Sequence, residues 1–294
     1  METRHVFTKG RKGFGIFYRT EDFLVFITIV SSVVKEMKLI VLAFCPMFNH
    51  VHFLLENVDK DISGVFMKRI TCAFVKEYNK DYQRKGQLFE KSFGSSSKRT
   101  VKIILGCVAY IFNNPVAGKL CRFAKEYKWN LLAYKDSRNP FSEPLKKNCC
   151  SKKLRRSIDM VDYYHSRNRY LTYNTLRIII QGLTEKEMMQ IVDYILFKYN
   201  FLSFESMEKL YGSYEKMMMA IDSCAGSEFD LEDEYGDHTC YRKMLAAVKK
   251  LGYNGQSLNF ERLTEEETMN LFRLIKAMTF VPTTCVKKFL HMDP

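Results

Sequence analysis

Two apolar runs split by a tight turn constrain this chain most. Residues 38–44 (KLIVLAF) and 50–56 (HVHFLLE) are each of strand length, and Pro46 and Asn49 break the stretch between them. The gap is too short for a helix, so the runs read as adjacent strands of one sheet, the first of them buried. Helical spacing flanks the pair. Glu21 to Met37 puts Phe23, Phe26, Ile27, Val30, Val34 and Met37 on one face, with Thr20 as the N-cap and Glu21 and Asp22 in the first turn. Asp61 to Tyr82 sets Ile62, Phe66, Ile70, Phe74 and Tyr78 on one face and Lys68, Arg69, Lys76 and Lys80 on another.

The rest of the N-terminal half completes the pattern. His5 to Lys9 reads as a first strand, ended by the glycine-rich Gly10 to Gly15. Gln87 to Phe93 reads as a fourth strand, Ser95 to Thr100 as a polar loop, and Val101 to Asn113 as a helix that Pro115 ends. The order strand, helix, strand, strand, helix, strand, helix predicts an α+β fold: a ferredoxin-like antiparallel sheet with helices, plus one helix after the last strand. Three segments are expected. Residues 1–140 form this α+β unit, 141–170 a basic linker running into a helix, and 171–294 an all-α domain. In the last, Thr184 to Tyr199, Phe204 to Ser223, Tyr241 to Leu251 and Leu263 to Met278 have helical spacing, and Glu228 to Glu234 is an acidic loop.

Composition narrows the function classes. With 47% hydrophobic residues the chain can build a core, which excludes disorder over most of its length. Its net charge is +13, from 46 Lys and Arg against 33 Asp and Glu, which points to an anionic partner, nucleic acid foremost. The longest apolar stretches, Phe23 to Val34 and Leu39 to Pro46, are too short or too interrupted to span a bilayer, so no membrane is expected. Met1 to Gly15 has no signal-peptide core, and nine scattered cysteines include no C-x-x-C. Reduced thiols and a cytoplasmic, nucleoid-associated location are therefore expected. No P-loop motif occurs, so no nucleotide cofactor is expected.

Two local patterns carry chemistry. In His50-Val51-His52 the imidazoles lie two apart on a strand and project to the same side, which suits neighbouring ligands of one divalent metal. Two strand histidines bonded to their neighbours would look the same. Tyr110 and Asn114 lie four apart on a helix and share a face. A phenol can attack a phosphodiester polarised by a metal, and a carboxamide one turn on can join the ligand set. A packed tyrosine and a helix-end asparagine fit that spacing equally well.

Taken together, Pro46 to Leu55 (PMFNHVHFLL), Gly86 to Phe93 (GQLFEKSF) and Tyr110 to Lys119 (YIFNNPVAGK) resemble the insertion-sequence-200-like transposases, which include those associated with repetitive extragenic palindromes. That family reads "MPNHVHLLL", "GHLFQGRYKS" and "YIHLNPVRAGL" at these places. Arg4 to Gly10 is similar to its first strand, and Trp129 falls where it often has "DYPWSSY". The resemblance covers about residues 1–136. Phe48 stands where the family commonly has Pro, and Ala117 where it often has a basic residue.

The resemblance implies a histidine-pair, single-tyrosine nuclease domain. His50 and His52, with Asn114 as third ligand, would hold Mg²⁺ or Mn²⁺. Tyr110 would be the nucleophile, joined to a 5′ phosphate of single-stranded or hairpin DNA. Such a site can form within one chain or by exchange of the tyrosine helix between two, which the sequence leaves open, so a homodimer is a second expected partner. Lys91, Lys98, Arg99 and Lys102 lie near the site in sequence, and Lys68 and Arg69 offer a basic helical face for DNA. Each also fits a solvated surface charge.

The C-terminal half offers less. His165, His238 and His291 stand alone, and Asp237-His238 with Cys240 lacks a fourth zinc partner. Thr283 to Met292 has a helix-turn-helix look, so these helices fit a DNA-binding appendage or a dimerisation domain. Three functions compete: a transposase or its domesticated relative, a related replication or mobilisation nickase, and a nucleic-acid-binding protein that kept the fold without the chemistry.

Overall fold

A computed structural model describes residues 2–145, 150–223 and 238–292. Four antiparallel strands, β1 (Glu2–Lys9), β2 (Ile40–Pro46), β3 (His50–Val58) and β4 (Gly94–Lys98), form one sheet in the order β2-β3-β1-β4. This is the ferredoxin-like order, with β1 and β3 central. Helices α1 (Thr20–Met37) and α2 (Lys60–Asp81) provide the two crossovers.

Strand alternation assigns the two faces of the sheet. Phe44 pairs with Phe53 across β2 and β3, and the Phe53 ring packs on Phe26 of α1 and Phe66 of α2. That face is the apolar core. His50 and His52 have the opposite parity and meet α3 (Val101–Ala117). The fold is therefore helices α1 and α2, then the sheet, then α3.

Thr20 is the first helical residue of α1, so Arg19 is its N-cap instead. The carboxylate of Asp22 accepts from the backbone N–H groups of Tyr18 and Arg19 at 2.9 and 2.8 Å. An acid three residues into a helix reaches back to its start better than a hydroxyl at the first position does.

Three element boundaries differ from expectation. The fourth strand is Gly94–Lys98, not Gln87–Phe93, which meets the sheet only through a bridge between Gly10 and Phe89. An edge strand needs little apolar signal, so a Gly-Ser-Ser-Ser-Lys run can serve. Gly94 sits opposite Phe7, where a Cβ would come within 2.2 Å of the Phe7 ring. Pro115 lies inside α3 rather than ending it. The turn after it still closes, with the Gly118 N–H bonded to the Asn114 carbonyl at 2.8 Å. Residues 204–223 form two helices, α7 (Phe204–Tyr211) and α8 (Tyr214–Ser223), because Gly212 takes the left-handed conformation, φ 84°, that caps a helix.

The remaining helices are α4 (Lys152–Ser166), α5 (Tyr173–Ile180), α6 (Glu185–Lys198), α9 (Thr239–Lys250), α10 (Glu265–Thr279) and α11 (Thr283–Phe289). The basic segment supplies α4, which buries Leu154, Ser157 and Val161. Buried side chains run without a break from the sheet into these helices. Val41 on the outer edge of β2 bridges to Leu202, and the Asn113 carboxamide donates to the Ile221 carbonyl at 2.6 Å. Tyr18 donates to the Phe289 carbonyl at 2.9 Å, so α11 packs against the loop before α1. The acidic run Glu228 to Glu234, Asp237, Lys146 and Lys147 lie outside the described residues. Among the described residues no helix is long and apolar enough to cross a membrane.

Candidate functional site

His50 opens β3 directly after the turn from β2, and His52 follows on the same face. Across the sheet His50 is paired with Lys9, while His52 is paired with Phe7 on one side and Cys45 on the other. Both imidazoles are buried, His52 completely. Their ring centres are 4.9 Å apart and nearly perpendicular. Burial first, then the positive neighbourhood of His50, His5 and Lys9, holds His52 well below the ordinary histidine pKa, so its imidazole is neutral. A neutral imidazole is the ligand form.

Helix α3 brings the second half of the constellation. The half-buried Tyr110 ring lies 5.7 Å from that of His52. The nucleophile candidate and the histidine pair are thus neighbours within one chain. Asn114, one turn on, donates its amide to the Tyr110 carbonyl at 3.1 Å, which turns its oxygen to within 3.5 Å of His50 Nε2. His50 Nδ1 meets the Asn49 side-chain oxygen at 2.8 Å, and an oxygen there makes Nδ1 the donor. In a neutral ring Nε2 then carries a lone pair, and in a charged ring it donates to the Asn114 oxygen. Two lone pairs facing each other at 3.5 Å repel unless a proton or a cation lies between them.

That spacing fits a divalent cation. Ligand bonds of about 2.0–2.2 Å put neighbouring donors roughly 2.8–3.6 Å apart, from octahedral to tetrahedral geometry. No group of three or more His, Cys, Asp or Glu side chains among the described residues is arranged to hold a metal. A cation here would rest on His50, His52 and the Asn114 oxygen.

Three nearby side chains escape the sequence reading. His5 of β1 places Nε2 3.0 Å from His52 Nδ1, and its ring lies 6.0 Å from that of Tyr110. Lys9 lies on the same face of β1, opposite His50. His238, just before α9, brings its ring within 5.8 Å of the His50 ring. Its proximity to Cys240 in sequence suggests a different grouping, but the fold turns it toward β3. Only the alternation along HVFTK hints at His5 and Lys9, and no local signal points to His238.

The basic residues divide. Lys98 ends β4 on the face of His5, Arg99 is exposed, and Lys102 is in the first turn of α3. Burial pushes the Cys107 thiol up to about 12, with Lys98 close enough to pull it back. Lys102 is eight residues before Tyr110, about 12 Å along the helix. Lys91 is exposed just ahead of β4. Lys68 and Arg69 ride on α2, across the sheet from Tyr110, and Arg69 pairs with Glu36 at 2.5 Å.

No protein-family model matches the chain, and no curated protein does. A search of solved structures finds the structure of a REP-associated tyrosine transposase bound to a REP hairpin. It is 13% identical, with a TM-score of 0.40, and the match covers 51% of this chain and 89% of that one. The likeness is too slight for residue roles to pass from that protein to this one. What the chain shows in its own right is an α+β fold whose antiparallel sheet carries a histidine pair against a tyrosine-bearing helix.

Proposed function

We propose that the chain is a transposase-type nuclease that cuts and rejoins single-stranded or hairpin DNA through a covalent link to Tyr110. One observation carries this reading: His50, His52, Tyr110 and Asn114 converge from a strand and a helix about sixty positions apart in sequence. Structural histidines need no phenol and carboxamide beside them.

His50, His52 and Asn114 would hold Mg²⁺ or Mn²⁺. Bound there, the ion draws charge from the scissile phosphate. Tyr110 attacks phosphorus in line, forming the Tyr110 Oη–P bond as the P–O3′ bond breaks. The phenolic proton leaves to solvent at the half-exposed ring, and the departing 3′ oxygen takes up a proton. The phosphotyrosine conserves the energy of the broken bond. A second 3′ hydroxyl reverses the step and joins new ends, so no nucleotide is consumed. Lys9, Lys98 and Lys102 provide positive charge along the strand's path.

The test uses end-labelled DNA hairpins with randomised single-stranded flanks, Mn²⁺ and the full chain. A protein–DNA adduct surviving denaturing electrophoresis is expected, and Tyr110→Phe should abolish it. An adduct that persists in Tyr110→Phe removes the assignment. DNA binding without any adduct makes the chain a binding protein.

A further inference from the structure

A cavity of about 300 Å³ opens between the start of α1, the β2–β3 turn and α9. Two stacked aromatic pairs form its walls. Trp129 lies on Phe23 with ring centres 4.3 Å apart, and Phe48 lies on Tyr241 at 4.1 Å. Arg242, Leu245 and Lys249 share one face of α9 and line it together. Arg242 and Lys249 are exposed at its mouth. Arg242 gives one hydrogen bond to the Leu120 carbonyl at 3.3 Å, which leaves the rest of its guanidinium for another acceptor. No carboxylate among the described residues lines the cavity.

This lining selects a ligand with a flat aromatic ring and a negative charge. Aromatic walls attract a π-face, and the two exposed cations, with no carboxylate among the described lining residues, attract an anion. The volume is at the small end of ligand sites, enough for one ring system and its sugar. The position narrows the source. Phe48 is two residues before His50, and the His238 ring lies 5.5 Å from Tyr241 and 5.8 Å from His50. The cavity and the histidine–tyrosine site therefore share a wall.

We propose that this cavity receives one unpaired nucleotide of the single-stranded DNA held at Tyr110. Its base lies against the aromatic walls and its phosphate faces Arg242 and Lys249. The proposal rests on the DNA-cleaving reading above and adds to it a point at which flanking sequence is discriminated.

Trp129 is the chain's only tryptophan, so its emission reports on this cavity. The full chain is titrated without metal, so that nothing is cut, using a hairpin with single-stranded flanks and its derivatives with one abasic position each. Anisotropy of a dye on the DNA reads binding anywhere, and Trp129 emission reads the cavity. The intact hairpin should quench Trp129. One abasic position should abolish the quenching and weaken binding about 5- to 150-fold, the range for one stacked base. The space-filling Leu245→Phe should weaken binding of the intact hairpin but not of that abasic one, and the double variant Arg242→Ala/Lys249→Ala should weaken binding of the intact hairpin.

Tight binding by anisotropy with unchanged Trp129 emission, and equal affinity for every abasic derivative, overturns the proposal while leaving the DNA-cleaving reading in place. Quenching by dAMP or dCMP that the hairpin cannot displace also overturns it, in favour of a free-nucleotide site. No anisotropy change with any DNA removes the DNA-cleaving reading and the proposal with it.

Discussion

Nε2 of His5 lies 3.0 Å from Nδ1 of His52, so the first strand fixes the rotation of a residue 47 positions later. A metal-ligating histidine is usually oriented in this way through its second ring nitrogen. His5→Ala should lower Mn²⁺ affinity by about 10- to 100-fold, measured by calorimetry on the full chain. A melting curve in parallel shows that the sheet is intact. Unchanged Mn²⁺ affinity in a folded His5→Ala protein would separate His5 from the site.

Asp22 is the most heavily used buried acid among the described residues. It is fully buried and accepts from two backbone N–H groups, from the hydroxyls of Tyr82 and Tyr173, each at 2.9 Å, and from Arg19. Asp22→Ala leaves these donors buried without their acceptor. A loss of about 3–5 kcal/mol in unfolding free energy is expected from denaturant titration. A loss below about 1 kcal/mol, the net worth of a single hydrogen bond, would mean that water or Asp81 takes over the donors. Asp81 also pairs with Arg19, at 2.7 Å.

The division of basic residues across the sheet predicts unequal effects on DNA. Replacing Lys98, Arg99 and Lys102 together by Ala should weaken single-stranded DNA binding and reduce the salt slope by about 2, at roughly 0.7 for each phosphate that is no longer neutralised. Replacing Lys68 and Arg69 should leave the slope nearly unchanged. Equal slopes in the two variants would place the DNA path elsewhere.

Much of this arrangement is legible along the chain, for reasons that differ from residue to residue. His50 and His52 share a strand face, and Tyr110 and Asn114 a helix face, because both relations depend only on local periodicity. β4 is hidden because its serines carry no apolar signal, and what fixes it is the room that Gly94 leaves for Phe7. His5 and Lys9 join the site through the register of β1 against β3, which pairing sets. His238 arrives from the far end of the chain by tertiary packing alone. Asp22 is readable as a first-turn acid, but Tyr82 and Tyr173 reach it from distant elements.

Acid should loosen the C-terminal helices from the sheet domain. Arg84 binds the Glu261 carboxylate at two points, 3.0 and 2.8 Å, and His291 approaches it at 3.3 Å. Partial burial resists ionisation of Glu261, but the bonds from His291 and Arg84 outweigh it and bring the carboxyl from 4.5 to about 2. A carboxyl with a depressed folded pKa stabilises the fold above its unfolded value, and that contribution drains away as pH falls from 4.5 towards 2. Thermal melts between neutral pH and about pH 3 should show a steeper decline for the native chain than for Glu261→Gln. Parallel declines would assign the acid sensitivity to other groups.

The bridge from Val41 to Leu202, with the Ser203 N–H bonded to the Val41 carbonyl at 2.9 Å, occupies the outer rim of β2. Unpaired rims are where foreign strands attach, and at Val41 this one is met by the chain's own later helical half. A polypeptide adding itself to the sheet would therefore meet β4, a five-residue ribbon of Gly, Ser and Lys that offers few backbone bonds and no apolar anchor. Both flanks of the sheet thus offer little to a foreign strand: the chain itself bonds to one at Val41, and the other is short and polar.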